Sequence, residues 1–460
     1  MINQTFRLTT AACAGLAILI GSFSSAIAQF GTFQPAGVEV DAQGMLRTRI
    51  FQDPNGSLTK MRIQAAQQQL ESEVQEISQL RMISLQRLEQ SIRERLENNQ
   101  PLTEEQMYMA GLTSISHVFF YPTSRDIVIA GPAEGFYTDL AGRVVGIESG
   151  KPVLHLEDFI VALRAFPPSG ESTGVIGVSI DPTAEGNARL QAAVRSFGGQ
   201  LGNHDPREIA RIFYDAIGNQ QISIKGVSPK TRFAQVLVEA DYRMKKIGIG
   251  LEKPAVNFKT FIDSVSPSSA ASGQLQRWYF VPDYDTIKVS EDELAMELVG
   301  QGAKLMDASE MVQRDGTRVT STTGNSASKG FTTNFTKKFP KLAERTPVFA
   351  ELKNMIDMAI VAAFIQEVGY YEKADWNMEL FADESQLPTQ RYREPKQVEP
   401  AINIVKKKSA VMFPTAGGVN IQARQALSTE HMIYDESGET EQARNTVNLD
   451  QIDPGRWWWN

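Results

Sequence analysis

The stretch Ser228–Leu251, SPKTRFAQVLVEADYRMKKIGIGL, decides the fold. Ser228 and Pro229 supply an N-cap and a good first helical residue. Phe233, Val236, Leu237, Ala240 and Met244 recur three and four apart, so they share one helical face. Gly248 and Gly250 end the run. Val236, Val238 and Ala240 also fit a strand alternation, which leaves two strands as the competing reading. Strand-like runs flank the stretch, Gln221–Gly226 before it and Ile247–Leu251 at its end.

Further upstream, Val175–Ile180 reads as a buried strand. Asp181-Pro182 reads as the cap of a helix carrying Leu190, Val194 and Phe197. Asp205-Pro206 starts another helix, which Gly218 stops. The order strand, helix, helix, strand, helix, strand predicts an α+β (mixed α/β) fold, a mixed sheet packed by helices. This central unit spans 112–263. Its front half reads as two hairpins, Ser114–Tyr121 with Ile127–Gly131 and Arg143–Glu148 with Pro152–Leu156. Glu157-Asp158 then leads the apolar helix Phe159–Phe166; such an acidic pair could be catalytic, but the favoured reading is a first helical turn whose carboxylates complement the dipole.

A Ser-, Pro- and Ala-rich linker, Ser264–Gly273, predicts a boundary before a second, smaller unit, 274–380. There Gln276–Val281 reads as a strand, and Ser290–Glu293 as a capping box opening a helix with Leu294 and Leu298. Asp315–Lys329 reads as a polar loop. Thr346-Pro347 starts a helix to about Tyr371, apolar nearly all round over Met355–Ile365, which marks it as that unit's core. From Phe381 to Asn460 the chain reads as mostly irregular, with a hairpin at Ala410–Ile421 turning at Gly417-Gly418.

Ahead of the central unit, 29–111 reads as a hairpin over Gly37–Ile50 and a long amphipathic helix from Leu58 to Asn98. That helix is either a coiled-coil surface for a partner or a second copy, or an arm packed along its own chain. Its heptad register slips between Leu80 and Leu85. Thr103–Gln106 forms a capping box before a short helix stopped by Gly111. The first 28 residues read as a secretory signal. Arg7 leads, Leu8–Phe23 is apolar or small, and Ala26-Ile27-Ala28 predicts cleavage before Gln29. The expected location is therefore periplasmic or extracellular.

The 460-residue chain carries a net charge of −8, which argues against nucleic-acid binding. Cys13, its one cysteine, lies in the leader, so the mature chain has no disulfide, thiolate nucleophile or cysteine metal site. His117, His155, His204 and His431 show no metal-ligand spacing. Gly170–Gly174 matches G-x-S-x-G, but a Pro-Pro loop precedes it where a nucleophile elbow needs a strand. Neither metal nor cofactor is expected.

Four places remain as candidates. Asp283 and Asp285 flank Tyr284 on one side of an extended segment, fit either for a hard cation or for a solvated turn. Asp181 sits at a strand-to-helix junction, either a site edge or a structural cap. Asp357 interrupts the apolar helix and needs a Lys or Arg partner if buried. Trp457, Trp458 and Trp459 either dock on a partner or the envelope, or fold back on the chain.

Six strings occur together and in order: GKPVLHLEDFIVALR (Gly150–Arg164), SIDPTAEGNARLQ (Ser179–Gln191), VLVEADYRMKKIGIGLE (Val236–Glu252), RWYFVPDYD (Arg277–Asp285), PVFAELKNMIDMAIVAAFI (Pro347–Ile365) and PTAGGVNI (Pro414–Ile421). Their combination resembles a family of exported proteins from planctomycete-type bacteria known only as a domain of unknown function, across most of Leu112–Ile421. The resemblance implies export and bacterial origin. It brings no activity and no catalytic residue. The residues themselves point to a soluble, non-catalytic binding, scaffolding or envelope-assembly protein. The other reading is an extracytoplasmic hydrolase whose carboxylates meet only in the fold; a cleft with convergent carboxylates or a His–acid pair would favour it.

Overall fold

The computed structural model describes residues 37–49, 51–198, 204–265, 276–283, 286–307, 326–403 and 415–460. The leader, Asp285, nearly all of the Ser/Pro/Ala linker and most of the polar loop before residue 326 lie outside these. The fold is mixed α/β, with helices packed on two mixed sheets.

The central helix is a helix and not two strands, from Arg232 to Gly248. Thr231, not Ser228, caps it, its hydroxyl accepting from the Ala234 amide at 3.2 Å. Phe233, Leu237 and Met244 are fully buried. The helix lies on the larger sheet and against two other helices, Leu156–Ala165 and Pro347–Glu367. The last of these is buried along almost its whole length, as its apolar girth requires. Each of its fully buried large apolar side chains contributes about 1.5–3 kcal/mol.

The larger sheet has eight strands. In spatial order they are Val38–Val40, Met45–Thr48, Gln397–Val398, Gln220–Lys225, Ile176–Pro182, Thr415–Ile421, Gln276–Asp283 and Gly302–Asp307. The sheet crosses the boundary expected at Ser264–Gly273, because strands from both sides of it pair with Thr415–Ile421. The smaller sheet has seven strands: Met432–Tyr434, Thr286–Val289, Ala295–Val299, His117–Tyr121, Asp126–Ala133, Ser78–Ser84 and Trp458–Trp459. The expected hairpins at Gly37–Ile50 and Ser114–Gly131 are present, as is the Thr103 capping box.

Several expectations fail. The single helix over Leu58–Asn98 is two helices, Ser57–Gln69 and Leu85–Glu97, separated by a short turn of helix and the strand Ser78–Ser84. The strand falls where the heptad register slips. Sheet partners on both sides, Asp126–Ala133 and Trp458–Trp459, override its local helix propensity. Leu70, Val74, Leu88 and Ile92 are buried inside the chain, whereas the helix Ser57–Gln69 buries no residue and Leu58, Met61 and Ile77 are exposed.

Gly417-Gly418 is no turn. It lies within the Thr415–Ile421 strand, between two neighbours. A Cβ on Gly417 would sit on the Trp278 carbonyl, and one on Gly418 on the Val178 carbonyl, so these glycines serve close strand approach. Ser290–Glu293 forms a tight turn into the strand Ala295–Val299, not a helix, because Ser290 bonds the Ala295 backbone. Ile247–Leu251 is the helix end and a turn, with Gly250 at φ +74°. Beyond Phe381 the described chain adds strands to both sheets.

Gly417 also holds φ +115°. Gly417→Ala should therefore cost about 2 kcal/mol or more of stability. Urea unfolding reads this directly, and an unchanged midpoint would contradict the close approach.

Candidate functional site

Charged residues on the central helix mark the site. Glu239 is 1% exposed, and Asp241 and Lys245 are fully buried. Burying such groups is costly unless they are paired. Two separate arrangements pair them.

On the sheet side, Lys245 donates to Asp241 at 2.7 Å, to the Gly417 carbonyl at 3.0 Å and to the Ile180 carbonyl at 3.2 Å. All three ammonium protons are used, which ties the helix to two adjacent strands. Burial pushes the Asp241 carboxyl up to about 6, against the pull of Lys245.

On the helix side lies a chain of alternating charges: Glu239, Arg143, Glu351, Arg232, Asp158. Arg143 holds both Glu239 oxygens, at 2.7 and 2.8 Å, and reaches Glu351. Arg232 contacts Glu351 at 2.5 Å and pairs with Asp158. Every member is at most 6% exposed. The five residues come from four elements. Arg143 precedes the strand Val144–Gly146, fixed by a turn in which its amide donates to Asp139 at 2.8 Å. Asp158 lies on the Leu156–Ala165 helix, Arg232 and Glu239 on the central helix, and Glu351 on the apolar helix.

A cavity of about 450 Å³ opens over this chain. Arg143, Arg232, His155 and Glu157 lie on its polar side, and Leu102, Met107 and Ile160 are among its apolar walls. The segment Leu387–Tyr392 forms another wall. Arg164 pins that segment at the Leu387 carbonyl, at 2.9 Å. At the far end the Tyr392 amide donates to the Lys230 carbonyl and its hydroxyl to Glu157, both at 2.8 Å.

His155 stacks edge-on against Tyr108 at 5.1 Å. Its Nδ1 is 3.7 Å from Glu157, and its Nε2 has no hydrogen-bond partner. Burial first, then the Arg232 charge, hold its pKa down to about 3, so it is neutral near pH 7. Burial pushes the Glu157 and Asp158 carboxyls up, with Arg232 opposing in both. Tyr392 is pushed up by burial and then by Glu157.

The residues singled out from sequence lie elsewhere. Asp357 is buried and pairs with Lys353 at 2.6 Å, one helical turn away. Asp181 is not a cap. It ends a strand and pairs with Arg277 at 2.8 Å, while Thr183 caps the following helix, because the strand continues through Pro182. Asp283 is taken up by Gln301 at 2.6 Å and Lys304 at 3.3 Å. Trp457, Trp458 and Trp459 fold back on the chain. Trp458 and Trp459 pair with Ile83 and Met82, and all three are at most 9% exposed. Arg81 lies against Trp458 and spends its five N–H groups on four carbonyls and the Asn460 side chain.

Reading Glu157-Asp158 only as dipole partners missed their roles here. Arg143, Arg232, Glu239 and Glu351 were not singled out at all. The available signal was the density of charge in the central helix, too high for a segment so apolar elsewhere.

Residues 178–261 match a family model described as a protein of unknown function (DUF1598). This is narrower than the Leu112–Ile421 stretch carrying the resemblance. It takes in Arg232, Glu239, Asp241 and Lys245, and leaves out Arg143, Asp158 and Glu351. No curated protein and no solved structure matches the chain.

The His155 pKa sets a pH dependence. An unfolded histidine takes up a proton near pH 6.5, whereas the folded one resists until about pH 3. The unfolded state binds more protons between these values, so this group's stabilisation is lost as pH falls through that window. The raised carboxyls act in the opposite direction and are common to wild type and variant. His155→Gln should therefore lose less stability than wild type between pH 6.5 and 4. Denaturant unfolding at several pH values measures this, and equal slopes would show that His155 protonates freely in the fold.

Proposed function

We propose that this is an exported binding protein whose cavity beside Arg232 and His155 holds a small molecule, without catalysing its conversion. The cavity carries the reading. At about 450 Å³, with apolar walls and a few convergent polar groups, it has the size and character of a ligand site. The buried His155 Nε2 is a polar atom awaiting a partner. The carboxylates of the charge chain are each engaged by arginine, which favours binding over acid–base work. The expectation of export rests on the leader pattern ending at Ala28. Scaffolding through the tryptophan tail has less support, because Trp457, Trp458 and Trp459 are buried within the chain.

One observation favours the hydrolase instead. The His155–Glu157 pair, 3.7 Å apart in the cavity, is the His–acid arrangement expected of such an enzyme.

A single preparation tests both. The protein is recovered from the extracytoplasmic fraction of its host, its N-terminus is read, and it is examined by native mass spectrometry. Gln29 should be first. A small molecule should leave on denaturation and be missing from Thr389→Trp, which fills the cavity from the Leu387–Tyr392 wall. A bare protein in both preparations would contradict the proposal. So would turnover of aryl esters, phosphates or glycosides that His155→Ala abolishes, which would establish the hydrolase.

A further inference from the structure

Resting on that reading, we infer that the cavity selects a protonated amine on an apolar body, with the ammonium against Glu157 and the body along Leu102, Met107 and Ile160. Three observations lead there.

The first is charge. The charged residues of the cavity lining are Arg143, Arg232 and Glu157, and the three carboxylates that hold the two arginines, Asp158, Glu239 and Glu351, lie just outside that lining, so the whole set is two cations and four carboxylates. Arg243 does not redress this, because it is 3.7 Å from Glu239 but held by Glu252 at 2.6 Å. Excess negative charge beside an apolar cavity repels an anion and attracts a cation, more strongly than it would in water.

The second is hydrogen-bonding capacity. Both terminal nitrogens of each guanidinium already lie on carboxylates. They are not the open forks that bind a ligand carboxylate or phosphate. The free capacity is accepting. Glu157 receives the Tyr392 hydroxyl and the Gln390 amide and has no arginine among the described residues within ion-pair distance, while His155 is neutral. With the His155 proton on Nδ1, on the side of Glu157, the buried Nε2 keeps its lone pair unused. A ligand that satisfies Glu157 brings N–H donors.

The third is the surroundings. Tyr108 and Tyr392 line the cavity beside Glu157, and aromatic faces favour cations. The upward push of burial on the Glu157 carboxyl is what a nearby ammonium would relieve.

The test is calorimetric titration of the mature protein with three probes sharing one body: 2-phenylethylamine, 2-phenylethanol and 3-phenylpropanoate. The amine should bind about tenfold or more tighter than the alcohol, and the carboxylate weakest. Glu157→Gln should bring the amine down to the alcohol, removing its advantage. Glu157 stands outside the arginine-bridged chain, and its variant should melt near wild type, which shows that it folds. Thr389→Trp should block all three probes. If the alcohol binds wild type but not Thr389→Trp, and the amine has no advantage or keeps it in Glu157→Gln, the cavity stands and the amine class falls. If the carboxylate binds tightest, the class likewise falls. If no probe binds up to about 10 mM, or all bind Thr389→Trp as well as wild type, the cavity reading falls and this inference with it.

Discussion

Glu351 touches both Arg143 and Arg232, and through them it joins three helices and the turn before Val144. These groups are buried, so bulk solvent does not replace a missing partner. Removing one member of such a set strands a buried charge, which typically costs 3–5 kcal/mol. The fold must therefore bring sequence-distant residues together in one arrangement. Lys245 does the same on the sheet side, where its ammonium fixes the helix against the Ile180 and Gly417 carbonyls. Apolar packing supplies the bulk of the stability, and these charges specify which faces meet. The cavity inherits its geometry from this, because Arg143 and Arg232, on its polar side, belong to the same chain of charges.

The tightness of the sheet beneath the central helix follows from similar constraints. Gly417 and Gly418 let the Thr415–Ile421 strand run close to both neighbours, and the turned backbone at Gly417 offers its carbonyl to Lys245. A second buried cation, Arg81, does comparable work in the smaller sheet. It gathers the carbonyls of Glu73, Val74, Glu76 and Ala110 around itself and draws in the side chain of Asn460. Burial lowers its pKa to about 10, yet it stays charged at neutral pH.

Local periodicity made the main helices legible. Phe233, Leu237 and Met244 fixed the face of the central helix, and Met355–Ile365 showed a helix buried all round. Asp205-Pro206 and Thr103–Gln106 gave true starts because capping depends only on neighbouring residues. What failed depends on distant partners. Ser78–Ser84 looks helical until Trp458 and Trp459 pair with it. Gly417-Gly418 looks like a turn until strands lie on both sides. The site was hidden for the same reason, since Arg143 and Glu351 are more than 200 residues apart in the chain. Asp357 was the exception. A lone carboxylate among apolar residues called for a cation, and Lys353, one turn earlier, supplies it.

The most direct measurement is a double-mutant cycle between Arg232 and Glu351, read by equilibrium denaturation of wild type, Arg232→Met, Glu351→Gln and the double variant. If the buried charges specify the fold, each single change is strongly destabilising and the double costs far less than their sum. The coupling should then be about 2 kcal/mol or more. Additive changes within about 0.5 kcal/mol would mean that these groups do not act as a unit, and the account would be contradicted.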